Sequence, residues 1–182
     1  MNSKDVKYIV VHCAYTPPAM DVSASDIDRW HREKGWLMIG YHAVIKRDGT
    51  LEKGRPLNKV GAHVRGINSK SVGICLAGGM MASQPTPEFN YTEEQMIVLR
   101  ETIDDWLKAF PSARVAGHTD FDKKKTCPNF DARLWYETAQ SNYNVWRLAA
   151  EIHRLRMAGL DVVMRMKKAP SGARYAEYSI AG

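Results

Sequence analysis

A chain of 182 residues that is 45% hydrophobic can bury one good core, so the length allows one domain of ordinary size plus an appendage. The start, MNSKDVKYIVVHC, lacks the apolar stretch and small-residue cleavage site of a signal peptide. No segment approaches the roughly 18 uninterrupted apolar residues of a membrane span, so a cytoplasmic protein with no membrane span is expected. The formal charge of +6 favours anionic partners such as nucleic acid or a bacterial envelope and says nothing about the fold. Three cysteines cannot all pair, which suits a reducing compartment better than a disulfide framework.

Residues 6–12 form a run of strand formers that ends at His12. Cys13 follows on the same strand, so its side chain is expected on the opposite face of the sheet; Cys13 and Cys75 both read as buried core thiols. After the Pro17-Pro18 loop, Ser25 with Asp28 three positions later starts a short helix carrying Ile27 and Trp30, which Gly35 ends. Residues 41–46 and 51–52 flank Arg47-Asp48-Gly49, and an Asp-Gly step between apolar runs signals a hairpin. A further core strand is expected over residues 72–77. From Thr92 the period becomes helical: Thr92 and Gln95 make a capping-box signature, and Met96, Leu99, Ile103, Trp106, Leu107 and Phe110 recur on one face until Pro111. Residues 114–117 then read as a short strand delivering His118 to the sheet edge. Strands mixed with helices predict an α/β fold, a layered mixed β-sheet flanked by helices, over residues 1–140.

The last forty residues differ. Val145, Leu148, Ala149, Ile152 and Leu155 share a helical face, Leu160, Val162, Met164 and Met166 alternate, Pro170-Ser171-Gly172 turns, and residues 175–180 return. Residues 141–182 are therefore expected to be a helix plus β-hairpin extension, and they carry seven Lys/Arg against three Asp/Glu. The segment resembles the final helix and wing of a winged helix-turn-helix module without its upstream helices. A packed appendage, an envelope anchor and a nucleic-acid contact all stay open for it.

His12, His118 and Cys127 stand in three separate contexts, YIVVHC, VAGH and TCPNFD. There is no CxxC pair and no HExxH, the marks of a closed structural site or a helical protease site. A catalytic zinc site uses three protein ligands and leaves one position open, which these three residues can satisfy. On spacing alone they can equally be core or surface residues, and Cys127 can be a nucleophile, although no helix N-terminus is evident beside it to stabilise a thiolate.

The blocks VVHCAYT (10–16), IDRWHREKGWLMIGYHAVIKRDGT (27–50), VGAHVRGINSKSVGICLAGG (60–79) and GHTDFDKKKTCPNFD (117–131) resemble, in order, the type-2 N-acetylmuramoyl-L-alanine amidases, the family of phage lysozyme-amidases and peptidoglycan-recognition proteins. The resemblance spans roughly residues 6–138. It implies that His12, His118 and Cys127 are zinc ligands and that Tyr41 and Lys125 are the catalytic tyrosine and lysine. His118 and Cys127 lie nine positions apart, one longer than the usual family loop, which leaves Lys123 and Lys124 as substitutes for Lys125. The same resemblance places His63 and Asn68 along the substrate groove. The residues also leave Asp120 as either a partner orienting a ligand imidazole or a loop cap, His42 as structural, and His31 and His153 as surface groups on helices.

The implied reaction is hydrolysis of the amide between N-acetylmuramic acid and L-alanine of peptidoglycan, as in a phage or prophage endolysin. Such an enzyme accumulates in the host cytoplasm as a monomer and acts on the cell wall after release. Two alternatives accompany this: a non-catalytic peptidoglycan-binding module, and an amidase with an added polymerase or nucleic-acid contact through residues 141–182.

Overall fold

The two longest apolar runs of the amino-terminal part become neighbouring strands at the centre of one sheet. In this computed structural model, which describes residues 5–138, 160, 162–168 and 174–180, β1 (Tyr8–Cys13) pairs in parallel with a strand over Ser71–Leu76. That second strand is buried along its whole length, as a near-continuous apolar run demands. In chain order the elements are β1, α1 (Ala24–Glu33), β2 (Ala43–Ile45), β3 (Leu51–Lys53), β4 (Ser71–Leu76), α2 (Glu93–Ala109), β5 (Arg114–Gly117) and α3 (Ala132–Thr138). The sheet order is β3-β2-β4-β1-β5, parallel throughout except for the antiparallel edge strand β3. It is the mixed, helix-flanked sheet expected.

Register sorts the side chains between two layers. Ile9, Val11, Ile45, Ile74 and Leu76 pack with Met96, Leu99 and Ile103 of α2 on one face. On the other, Val44, Cys75 and Ala77 meet Val22, Ile27 and Ile39 around α1. His12 lies opposite Cys75, and Val44 does too, so His12 belongs to the α1 face while Cys13, one residue on, belongs to the α2 face.

Both long helices begin with capping boxes. Thr92 and Gln95 cap α2 as expected, and the buried Gln95 amide also donates to Ile45 O (3.1 Å) and Ala77 O (2.8 Å), tying the helix to two strand ends. For α1 the cap is Ser23 with Asp26, two residues before the expected pair. Both pairs have the same S-x-x-D form; Asp28 instead accepts from Ile39 N (2.7 Å) and Arg32 (2.6 Å), which anchors the chain leaving the helix. The Arg47-Asp48-Gly49 turn closes β2 on β3, with Gly49 at φ 83°, a conformation glycine adopts freely. Helix α3 is an element that periodicity does not announce: seven residues are too few for a stripe, and Asp131 starts it by accepting from Leu134 N at 2.9 Å.

The chain divides into two compact units, Met1–Ser141 and Asn142–Gly182. Within the second, β6 (Val162–Lys168) and β7 (Arg174–Ile180) form an antiparallel hairpin, as expected. The helix expected over residues 145–155 and the turn at 170–172 lie outside the described residues. Among the described residues no helix is long and apolar enough to cross a membrane.

Candidate metal centre

His12 is the penultimate residue of β1, fully buried, and His118 is the first residue after β5. Because these strands are parallel neighbours, their carboxyl ends lie side by side and the two imidazoles come within 4.8 Å, centroid to centroid. Cys127 reaches them from the loop that follows. Thr119 N donates to Cys127 O (3.1 Å), and the backbone N–H of Cys13 donates to Cys127 Sγ (3.1 Å). The loop is held from behind: Tyr91 donates its hydroxyl to Pro128 O (2.7 Å), and Asn129 donates to Gly79 O (2.6 Å) and Glu88 O (3.2 Å) from a left-handed backbone at φ 69°. Asp120 accepts from Gly117 N (2.8 Å), so it caps the loop and does not touch a ligand imidazole.

One donor atom from each of His12, His118 and Cys127 lies within 4.8 Å of the others. His12 Nδ1 stands 3.8 Å from Cys127 Sγ, close to the ~3.6 Å edge of a tetrahedron with ordinary zinc–nitrogen and zinc–sulfur bond lengths. Two imidazoles and a thiol are a donor set suited to zinc, and three ligands leave a coordination position open. The residues therefore fit the ion.

Electrostatics prepare the histidines more than the cysteine. Burial, with smaller contributions from His63 and His118, holds His12 well below its ordinary pKa, and burial followed by the charge of Lys125 lowers that of His118. Both are neutral at pH 7 with lone pairs available. A hydrogen bond with Cys13 and then burial push the Cys127 thiol up, so metal binding there must displace a proton.

Beside the triad, the ring of Tyr41 lies 5.0 Å from that of His12. Burial raises the phenol well above its ordinary pKa, keeping it a hydrogen-bond donor. An open cavity of 530 Å³ adjoins His118; its wall includes Trp36, His63, Arg65, Phe121 and Lys125. Lys125 thus borders the same space as a metal-ligand candidate, whereas Lys123 and Lys124, exposed like Lys125, do not line it. Asn68 also borders the cavity, but its Oδ1 accepts from His63 N (2.9 Å) and Val64 N (2.8 Å), a bond that shapes the loop. His63 Nδ1 stands 3.0 Å from His12 Nε2, a contact that no spacing in the sequence reveals.

The remaining histidines divide. His42 accepts from Gly73 N (3.0 Å) and bonds Lys59 O (3.0 Å), a structural role as expected. His31 is buried rather than exposed: it accepts from Gly40 N (2.9 Å) and packs against Trp36 with centroids 4.4 Å apart, because its position faces the loop that folds back over α1. His153 lies outside the described residues. Cys13 and Cys75 are buried, as expected, and the main chain of Cys13 belongs to the surroundings of Cys127.

A parallel-centred sheet that presents two histidines at adjacent strand ends, with a cysteine from the following loop beside them and an open cavity next to His118, forms a candidate three-ligand metal centre of the kind that metal-dependent hydrolases use. Comparison with known proteins narrows this. The N-acetylmuramoyl-L-alanine amidase family model matches residues 2–130, and a winged helix-turn-helix domain model matches residues 137–182. The endolysin of Enterobacteria phage K11 is 42% identical over 137 residues, which are 75% of this chain and 89% of that protein. Among solved structures, the amidase LysC from Clostridium intestinale superposes with a TM-score of 0.62 at 28% identity, covering 77% of this chain and 87% of LysC. A variant of Drosophila PGRP-LB in complex with tracheal cytotoxin gives 0.57 at 27% identity, covering 74% and 80%. The chain belongs to the N-acetylmuramoyl-L-alanine amidase family, and its enzymatic activity is that of a phage endolysin amidase.

Proposed function

We propose that the chain hydrolyses the amide between N-acetylmuramic acid and L-alanine of peptidoglycan with one zinc ion held by His12, His118 and Cys127, and with Tyr41 and Lys125 as catalytic residues. The convergence of three donor atoms within 4.8 Å of one another beside an open cavity carries this reading. A zinc ion held there supplies a Lewis acid for the scissile carbonyl and acidifies a water that serves as nucleophile.

The protein's own groups complete the chemistry. Tyr41, protonated and close to His12, donates a hydrogen bond where negative charge grows on the carbonyl oxygen. Lys125, on the cavity wall beside His118, adds a cation for the tetrahedral intermediate. Arg65 and Lys125 give the cavity positive charge suited to the carboxylates of a stem peptide, and Trp36 and Phe121 offer apolar surface to sugar or peptide. The complex of PGRP-LB with tracheal cytotoxin supports a peptidoglycan fragment as ligand. The protein meets its substrate after release from the host cytoplasm.

The test is mass spectrometry of products from purified peptidoglycan, with zinc-loaded and chelator-treated protein side by side. Stem peptides with a free L-alanine amino group appear only in the zinc-loaded digest. Equal release in both samples, or none in either, overturns the proposal.

A second role is supported by the winged helix-turn-helix match over residues 137–182 and the basic balance of that stretch: contact with nucleic acid. Duplex DNA binding that weakens steeply with salt is expected of the full chain. Mobility of a labelled duplex that the protein leaves unchanged at low salt removes this role.

A further inference from the structure

The bond between His12 and His63 is not used by the chemistry above, and it is built with some care. His12 offers Nδ1 towards Cys127, so its other nitrogen, Nε2, points away from the metal site and meets His63 Nδ1 at 3.0 Å. The His63 ring occupies a space that two glycines leave for it. A Cβ at Gly73 would stand 2.8 Å from His63 Cγ and Nδ1, and one at Gly61 would stand 2.5 Å from His63 Cδ2. Gly73 lies opposite Val10 in the register, two residues before the Cys75–His12 pair, so the missing side chain opens the sheet face next to His12 itself. The main chain under the ring is clamped by Asn68, whose Oδ1 accepts from both His63 N and Val64 N.

We infer that His63 is a positioning residue for the metal centre: its Nδ1 accepts the Nε2 proton of His12 and thereby fixes His12 in the tautomer and ring orientation that present Nδ1 to zinc. The inference rests on the zinc-site reading above. A histidine that binds metal through one nitrogen carries its proton on the other, and that proton ordinarily goes to a carboxylate, a carbonyl or water. Here the space is filled by an imidazole. The proton count is then determined. His12 is protonated at Nε2, His63 is unprotonated at Nδ1, and the single proton of neutral His63 sits on Nε2. That atom is buried without a hydrogen-bond partner.

The choice of acceptor has an electrostatic consequence. A carboxylate in this place would add a negative charge beside a ligand, whereas a neutral imidazole orients His12 without one. Zinc with two imidazoles and one thiolate then keeps its formal positive charge for the scissile carbonyl.

The experiment uses the full chain, with zinc as the probe. Zinc affinity is measured by competition with a chromophoric chelator for the parent, His63→Leu and His63→Gln, and nitrogen-15 imidazole spectra are recorded for the zinc-loaded parent. His63→Leu removes the acceptor and is expected to bind zinc 10- to 100-fold more weakly, and His63→Gln, whose amide oxygen can accept, is expected to recover most of that loss. The spectra are expected to show His12 protonated at Nε2 and His63 unprotonated at Nδ1. Zinc affinity in His63→Leu within about twofold of the parent overturns the inference, well below the effect typical of such partners. The opposite tautomer of His63 in the parent overturns it too, even where His63→Leu fails to fold. A parent that binds no zinc at all removes the metal-site reading along with it, whereas a parent that binds one zinc with unaffected variants removes only the role of His63.

Discussion

At the scale of single residues, the proposed function separates groups that would hold an ion from groups that would act on substrate, and the two kinds are expected to fail differently. Cys127 is the one ligand candidate whose bound form is charged, so Cys127→Ser, with an alcohol too weakly acidic to replace the thiolate, is expected to lose both zinc and activity. Metal content by atomic emission and peptidoglycan turnover check this; retention of one zinc per chain contradicts it. Tyr41 sits 5.0 Å from His12, ring to ring, but is not among the three converging ligand candidates. Tyr41→Phe removes only the hydroxyl, so zinc is expected to stay while the turnover rate falls by about 10²–10³, the usual cost of one lost oxyanion donor. An unchanged rate leaves Tyr41 as a packing residue.

At the scale of elements, the ends of the strands and the starts of the helices position the site. The Thr92 hydroxyl accepts from Gln95 N (3.1 Å) and donates to Arg47 O (2.8 Å), joining the start of α2 to the β2–β3 turn. Thr92→Ala is expected to cost about 1 kcal/mol in urea denaturation, the ordinary value of a helix cap, with zinc affinity unchanged. A cost near zero means that water takes over the cap. Several elements are legible from residue patterns: the Asp-Gly turn, the α2 stripe with its capping box, and the short strand before His118. The α1 cap is not, since Ser23 with Asp26 and Ser25 with Asp28 have the same form, and only the contact of Asp28 with Ile39 N decides between them. Helix α3 escapes because two turns carry too little periodicity to be read.

At the scale of the whole molecule, burial of neutral histidines makes stability depend on acid. In zinc-free protein His63, His42 and His31 are all buried, and burial is the first cause that lowers the pKa of each, His63 to about 3. The unfolded chain takes up protons near pH 6.5 that the native protein refuses. The contribution of His63 is therefore complete above about pH 6.5 and is lost as the pH falls towards 3, at up to about 1.4 kcal/mol per pH unit, and His42 and His31 add losses of the same sign below about pH 6.5. Urea midpoints of the chelated protein measured between pH 7.5 and 5 are expected to fall steadily; a flat profile contradicts the buried neutral state. The family model ends at residue 130 and the described apolar core at Ala132 and its neighbours, so a chain stopped after Ser141 is expected to keep zinc binding and amide hydrolysis. Loss of the soluble fold on that truncation makes the carboxyl-terminal unit a structural requirement.

What the amino-acid sequence determined by itself was the class of fold; the metal-ligand candidates came from short motifs that the resemblance to the amidase family singled out. Alternating and helical apolar periods follow from local geometry, and His12, His118 and Cys127 each sit in a motif short enough to read along the chain. The tertiary structure decided what surrounds them. His63, His31 and the backbone of Cys13 gain their roles from contacts with residues far along the chain or from the fold of a loop, and nothing in local spacing encodes the space that Gly61 and Gly73 leave for a ring. Residue type limits the candidate ligands, because only a few side chains bind zinc, and the resemblance picks among them; the groups that orient them cannot be read in this way, because any nearby acceptor suffices and nearness is set by packing.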